Sequence, residues 1–402
     1  MRQIHIALAT DCHYVKQCAI VVESVMQHSN KAAQYVFHIL TDGIKNEMNI
    51  ESEIGKRYAN AIVERIDVTG MVKDAIWVCH ISPTTCARLL LPELLPDLSR
   101  CIYLDCDLIV EKDVEELFSM DIEDKIIWGV KAPSYHIKGK EEKESYRRRA
   151  GIPGLDQYIN AGVLLMNLKK MRRQNFANRA LSLVEEHYPS QDQDIINKLC
   201  YGDIGFLPAK YNLMTNSLKM DKDELERCHV YTCYETEESR NDPVVIHYAH
   251  AVKPWDFPVS AMADHWWKVC ERTEWFDEFV LRNSKSFYFE YKNSKDKIWG
   301  LPVFSKEWIQ YVKEENLYVY GNGKIGRALV DKLKEEDVTI QGILVTSEKN
   351  LTERVYDQIS VMICDEKIPQ NALVFVAASL QYHKEIRDNL YRYGVGRILY
   401  FL

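Results

Sequence analysis

Net positive charge is the first thing this 402-residue chain lacks: 51 Lys and Arg stand against 59 Asp and Glu, a formal charge of −8. Broad nucleic-acid binding, which needs a basic face against phosphates, is therefore disfavoured. An anionic small molecule held by a metal or a few local cations is not. No apolar run approaches the ~18 residues that a spanning helix requires. Met1–Ile6 leads straight into a strand-like segment without the apolar core of a signal peptide. The eleven cysteines include no CxxC pair, and several lie inside apolar runs such as Cys101-Ile102-Tyr103-Leu104. That spacing excludes a disulfide scaffold and suits reduced, mostly buried thiols, so the expectation is a cytoplasmic protein. Internal repeats and low-complexity tracts are also missing, and an apolar content of 47% rules out disorder.

What is present is an alternation of strand-like and helix-like segments. Strand-like runs are read at 4–10, 35–40, 61–66, 100–105, 126–130 and 158–166, with helices at 15–28, 84–95 and 169–187. The pattern implies an α/β fold with a largely parallel sheet covered on both faces. Ligands of such sheets sit at the carboxyl ends of the strands. Residues 262–282 read as a helix with an aromatic packing face (Trp266, Trp267, Trp275, Phe276, Phe279), and a polar and aromatic connector follows. The expected division is a first domain at 1–260, a connector at 261–315 and a small C-terminal domain at 316–402.

The most informative local feature is Leu104-Asp105-Cys106-Asp107, where an apolar strand ends in two acids. In a strand, i and i+2 project to one side, so the two carboxylates would converge and call for a hard divalent cation between them. Turn-capping or solvated acids are the plain alternative. Farther on, Val244-Val245-Ile246-His247 is a second buried-looking run, ending in a histidine, and Lys253 follows. Together these residues describe a diphosphate clamp.

Six segments in order resemble glycosyltransferase family 8, the retaining nucleotide-sugar transferases that include glycogenin and the lipopolysaccharide galactosyltransferases. They are Ala9-Thr10-Asp11-Cys12-His13-Tyr14, Thr85-Cys86-Ala87-Arg88-Leu89, Tyr103-Leu104-Asp105-Cys106-Asp107, Asn160-Ala161-Gly162-Val163, Gln191-Asp192-Gln193-Asp194, and His247-Tyr248 through Lys253-Pro254-Trp255. The resemblance implies a GT-A nucleotide-diphospho-sugar transferase fold over about the first 260 residues. It makes Asp105, Asp107 and His247 metal ligands, with manganese as the ion; carboxylate chemistry alone would also admit magnesium.

The donor UDP-sugar would meet Ala9, Asp11, His13, Tyr14, Asp105, Cys106, Asn160, Ala161, Gly162, His250 and Lys253. Asp11 would accept from the uracil N–H, Tyr14 would stack on the base, and Lys253 would add positive charge at the diphosphate. His250 stands where relatives often carry Gly. Arg88, Asp192 and Gln193 would be the catalytic group, with Asp192 on sugar hydroxyls and Gln193 facing the reacting carbon. An amide is a poor nucleophile, so the resemblance favours front-side attack by the acceptor over a covalent intermediate. Residues 135–153, with Arg147-Arg148-Arg149, read as an acceptor lid or a solvated loop.

The C-terminal segment Leu317–Gly326 is a strand running into Gly321-Asn322-Gly323-Lys324-Ile325-Gly326, followed by a helix. This is Rossmann-like patterning, with Glu348 about 20 residues on, near where a ribose-binding acid would stand. The segment is short for a full dinucleotide domain. Bound NAD, another nucleotide or sugar, and a structural role all remain open.

The leading expectation is a metal-dependent retaining transferase that moves glucose or galactose from a UDP-sugar to a saccharide acceptor in surface polysaccharide or lipopolysaccharide synthesis. Peripheral contact with a membrane-linked acceptor is compatible with it. The alternatives are a catalytically weak nucleotide-sugar-binding protein, and an NAD(P)-dependent oxidoreductase or epimerase working through the C-terminal glycines.

Overall fold

The computed structural model describes every residue except 1, 44–49, 72–82, 123, 187, 259, 277, 280–287, 295–296, 304–305, 379–381 and 402. Cys79 and parts of the expected connector thus lie outside the described residues. Of the described cysteines, all free thiols, Cys18, Cys86, Cys101, Cys106, Cys200, Cys270 and Cys364 are buried. No described helix is long and apolar enough to cross a membrane. The chain divides into two compact units, Met1–Ala251 with Lys268–Thr273, and Val252–Trp267 with Glu274–Leu402.

The first unit contains β1 (Arg2–Asp11), β2 (Ala33–Asp42), β3 (Ala61–Asp67), β4 (Cys101–Leu104), β5 (Leu108–Val110), β6 (Ile127–Lys131), β7 (Ile159–Met166), β8 (Ile204–Phe206), β9 (Leu213–Met214) and β10 (Val245–His247). Seven of these form one sheet in the order β3-β2-β1-β4-β7-β6-β8. β1 and β2 hold register from Arg2↔Ala33 to Asp11↔Asp42. Both are buried almost throughout, as expected of strands covered on two faces. The parallel arrangement read from the sequence holds for β3-β2-β1-β4 and for β6-β8. β7 is the exception and runs antiparallel to both β4 and β6. Its reversal brings the start of β7, with Asn160, to the edge where β1 and β4 end.

A second small sheet, β5-β10-β9, completes that edge. β10 pairs antiparallel with β5 in the register His247↔Leu108, and the Tyr248 N–H donates to the Asp107 carbonyl at 2.9 Å. This pairing joins His247 to Leu108, 139 positions away, and sets the histidine beside the acid pair.

Two expected helices differ in form. Residues 83–90 are a 3-10 helix with a short α-turn, Leu91–Leu94, after it. The tighter winding eclipses i and i+3, so Thr85 and Arg88 share one face. The segment 169–187 breaks into Leu168–Arg173 and Phe176–Leu181 at Asn175, whose φ of 52° lies in the left-handed region. The stretch read as a lid or loop is helical, Pro133–His136 and Lys140–Ala150, with Tyr146 and Ala150 buried and Gly151 closing the helix at φ 60°. Together the sheet and the helices flanking residues 83–95 and 168–199 enclose the main core.

His136 braces the entry to β7: its Nε2 lies 2.9 Å from the Tyr158 carbonyl, which can only accept, so Nε2 carries the proton. Burial lowers its pKa from 6.5 to about 4. Below pH 6.5 the unfolded chain takes up a second ring proton and the folded one resists, so stability present above pH 6.5 is lost as the pH falls toward 4. The expected loss is about 3 kcal/mol. Urea unfolding of the native protein and His136→Gln at pH 7 and 4.5 checks it, with the acid loss smaller in the variant.

The second unit contains β11 (Tyr288–Ser294), β12 (Lys297–Val303), β13 (Leu317–Tyr320), β14 (Ile340–Val345), β15 (Val355–Tyr356), β16 (Ile359–Ile363), β17 (Leu373–Ala377) and β18 (Arg397–Phe401). β11 and β12 are an antiparallel pair. The other six form a sheet in the order β15-β16-β14-β13-β17-β18, parallel apart from β15. β13 is central and turns at Gly321, φ 121°, into the helix Lys324–Glu335. A Cβ at Gly326 would lie 1.7 Å from the Gly321 carbonyl oxygen, so the glycine permits the close strand–helix turn. Glu348 is exposed, and it is Glu353 that accepts from the Asn322 amide and pairs with Arg327. The aromatic residues pack as anticipated: Trp266 is fully buried, with ring centroids 5.5 Å from Trp255 and 4.9 Å from Phe279.

Candidate active site

β4 ends at Leu104, so Asp105 and Asp107 lie on the turn between β4 and β5 and converge through that turn rather than through strand alternation. The Asp105 N–H donates to the Gly162 carbonyl at 2.8 Å, extending the β4–β7 ladder by one step. One ligand atom from each of Asp105, Asp107 and His247 lies within 4.8 Å of the others. The His247 Nε2 is 3.1 Å from the Asp107 Oδ1 and 3.9 Å from the Asp105 Oδ2.

The tautomer of His247 follows from a chain of hydrogen bonds that starts at a backbone amide. The Gly162 N–H must meet an acceptor, which fixes the Asn160 Oδ1 at 2.9 Å. That oxygen then receives the Asn212 Nδ2 at 2.8 Å, so the Asn212 Oδ1 faces the His247 Nδ1 at 2.9 Å. Nδ1 therefore carries the hydrogen, and Nε2 turns its lone pair toward the two carboxylates. Three lone-pair atoms facing one another are a fitting donor set for a divalent cation, with the imidazole oriented from its far nitrogen as in metal sites generally. Asn212 was not anticipated, and nothing in its local sequence marks it.

Gly162 is the floor of this cluster. A Cβ there would sit 2.1 Å from the His247 Cε1 and 2.9 Å from the Asp105 Oδ2. Gly162→Ala is therefore expected to push the imidazole aside and weaken the binding of a divalent cation by about 10- to 100-fold, the range for disturbed ligand orientation. A calorimetric Mn²⁺ titration of the two proteins checks it.

Arg88 lies behind the acids, 3% exposed. Its Nη2 is 2.9 Å from the Asp105 Oδ1, its Nε 2.8 Å from the Asp192 Oδ2, and its Nη1 donates to the Ala161 carbonyl at 2.5 Å. The guanidinium also lies 4.3 Å from the centre of the Tyr103 ring. Burial pulls its pKa down, but Asp105 and Asp192 outweigh that and hold it above its ordinary value. Burial pushes the Asp105 carboxyl up, against the pull of Arg88, and Asp107 adds to the upward push. Arg88 thus bridges a metal-ligand candidate and a catalytic candidate.

Asp192, Gln193 and Asp194 occupy the first turn of the helix Gln191–Leu199, where negative charge is favoured. Gln191 has a left-handed φ of 42°, and its buried side-chain amide has no hydrogen-bond partner among the described residues. Such strain collects at functional positions. The Gln193 Oε1 accepts from the Ala161 N–H at 3.0 Å and from the Asn160 Nδ2 at 3.1 Å, while its Nε2 donates to the Tyr158 hydroxyl at 3.0 Å.

At the carboxyl end of β1, the Asp11 Oδ1 accepts from the His13 and Tyr14 N–H groups, tightening the turn before the helix Val15–Gln27. Ala9 is nearly buried, and the Cys106 thiol turns inward to donate to the Ala9 carbonyl at 3.2 Å. His13 and His250 are exposed. Lys253 is buried and belongs to the second unit. The first unit therefore gathers Arg88, Asp105, Asp107, Asn160, Ala161, Gly162, Asp192, Gln193 and His247 into one connected cluster.

A model of the family described as Glycosyl transferase family 8 matches residues 5–257. The chain belongs to glycosyltransferase family 8. General stress protein A of Bacillus subtilis (strain 168) is 23% identical over 285 residues, covering 68% of this chain and 94% of that protein. A lipopolysaccharide 1,2-glucosyltransferase of Escherichia coli is 25% identical over 67% of this chain and 79% of its own length. Among solved structures, galactosyltransferase LgtC in complex with donor and acceptor sugar analogs aligns with a TM-score of 0.56 and 26% identity, covering 68% of this chain and 100% of that one. The glycosyltransferase match takes in every candidate site residue, and the glycine turn at 321–326 lies outside it.

Proposed function

We propose that this glycosyltransferase is a retaining hexosyltransferase that moves glucose or galactose from a UDP-sugar to a saccharide acceptor, with Mn²⁺ held by Asp105, Asp107 and His247. The observation that carries the reading is the convergence of these three side chains over Gly162 at the carboxyl edge of the sheet. A bound ion would neutralise the departing diphosphate as a Lewis acid. Asp11 and Tyr14 hold the nucleoside. Asp192, paired with Arg88, binds sugar hydroxyls. With both acceptor positions of the Gln193 Oε1 already taken by Asn160 and Ala161, the amide oxygen is a poor candidate for a nucleophile. This supports front-side attack, in which the leaving phosphate helps remove the acceptor proton and the protein contributes positioning and fixed charge.

Glucose and galactose are the sugars named for the relatives of Escherichia coli and Salmonella typhimurium, both lipopolysaccharide enzymes. A lipopolysaccharide or surface-polysaccharide acceptor is proposed on that footing. The second unit, with its central strand and glycine turn, is read as a Rossmann-like accessory domain. The test is a panel of UDP-sugars assayed for slow hydrolysis with Mn²⁺. One hexose donor is expected to be cleaved well above the rest, and no cleavage of any UDP-hexose would overturn the reading.

A further inference from the structure

The Gln193 amide is the end of a second hydrogen-bond chain, and its polarity is also set by the backbone. The Ala161 N–H donates to the Gln193 Oε1, so the group facing Tyr158 is the Nε2, a donor only. The Tyr158 oxygen must then accept, and its single hydrogen is directed elsewhere. It goes to the Asp194 Oδ1 at 2.6 Å. Tyr158 and Asp194 are both buried. The Asp194 carboxylate also accepts from the Tyr146 hydroxyl, at 2.9 and 3.1 Å to its two oxygens, and from the Ser190 N–H at 2.7 Å. Tyr146 belongs to the helix Lys140–Ala150, so the chain runs from that helix through Asp194 and Tyr158 to Gln193.

An amide free to rotate could offer either its oxygen or its N–H groups to a bound sugar. This arrangement removes that choice. The oxygen is consumed by Ala161 and Asn160, one N–H is consumed by Tyr158, and one N–H remains. We propose that Tyr158 is a positioning residue: with its proton committed to Asp194, it accepts from Gln193 and locks that amide so that its second N–H is the group offered to the substrate. On this account Gln193 recognises an oxygen of the transferring sugar, or of the acceptor hydroxyl, as a hydrogen-bond donor. The inference rests on the transferase reading for its consequence in turnover, but the lock itself is a property of the protein alone.

The test uses Tyr158→Phe, which removes one oxygen from a buried ring, and Tyr146→Phe, which removes another donor to Asp194 while leaving the Tyr158–Gln193 contact. In protein labelled with ¹⁵N-glutamine, the Gln193 side-chain signal is identified by its loss in Gln193→Ala. Its NH₂ protons should exchange slowly in the native protein and in Tyr146→Phe, and markedly faster in Tyr158→Phe. Unchanged exchange in a folded Tyr158→Phe protein would overturn the proposal, whether or not a UDP-sugar is turned over.

In the enzyme assay, Tyr158→Phe should lower kcat about tenfold, the size of one lost hydrogen bond, with donor KM little changed. In the Gln193→Ala background the same substitution should have almost no further effect, because the two residues act as one unit. Independent, multiplying losses would show that Tyr158 does not work through Gln193. A native protein with no activity on any UDP-sugar would count against the transferase reading and leave the exchange result to decide the lock.

Discussion

Asp105→Asn combined with Asp107→Asn should reduce Mn²⁺-dependent UDP-sugar hydrolysis by more than about 100-fold. Disturbing the residues that merely orient a metal ligand already costs 10- to 100-fold, and here two of three ligands lose their charge. The fold should survive, because the substitutions relieve like charge at a turn rather than open the core. Asp105 keeps its backbone hydrogen bond to the Gly162 carbonyl whatever its side chain, and Leu104 continues to pair with Val163. The double variant should therefore still unfold cooperatively, at a midpoint lowered by loss of the Arg88–Asp105 ion pair, while losing metal binding by calorimetry. Full activity in that protein would remove the metal clamp from the account.

Arg88→Met should have the largest effect on stability. The guanidinium neutralises two carboxylates at once, Asp105 at 2.9 Å and Asp192 at 2.8 Å, and the Asp192 side chain is nearly as buried as the arginine. Removing one partner from a buried charge cluster leaves the others uncompensated, typically at a cost of about 3–5 kcal/mol. Urea unfolding would measure it as a lower midpoint with little change in slope. Mn²⁺ should restore part of the loss, because a cation at Asp105 replaces one of the two contacts. It should not restore all of it, because Asp192 pairs with Arg88 rather than with the cation cluster. Arg88→Lys should fall between, since a point charge cannot span both acids as the planar fork does. A variant as stable as the native protein would show that the cluster carries no such electrostatic weight.

Asp105, Asp107 and His247 were legible from the sequence pattern, as an acid pair after an apolar run and a histidine closing another, whereas Arg88, Asn160, Ala161, Gly162, Asp192 and Gln193 were singled out through the family resemblance. Their geometry was less so. Asp105 and Asp107 were expected to project from a strand, yet β4 stops one residue earlier and a turn brings them together. Arg88 was expected in an α-helix, but the 3-10 winding of residues 83–90 places its Nε 3.0 Å from the Thr85 carbonyl, three residues back.

What could not be read were the connecting groups. Asn212 is an ordinary polar residue in a short 3-10 turn, Ala209–Asn212, and becomes the partner of His247 only through the β9–β10 pairing. Tyr158 marked only the start of a strand. Its place between Gln193 and Asp194 depends on the packing of the helix Gln191–Leu199 against β7, a tertiary fact with no local trace. Near the C-terminal glycine turn, spacing singled out only Glu348, while the chain path through β14 and the following turn also brings Glu353 to Asn322.

The central claim is that a metal ion held by Asp105, Asp107 and His247 makes the UDP-binding site. The most direct measurement is the thermal midpoint of the native protein with UDP alone, Mn²⁺ alone, and both. Ligand at 100 times its Kd stabilises the folded state by about 2.7 kcal/mol, so UDP with Mn²⁺ should raise the midpoint by several degrees, and UDP without a divalent ion should leave it almost unmoved. An equal rise with UDP in the presence of a chelator, or no rise under any of the three conditions, would contradict the account.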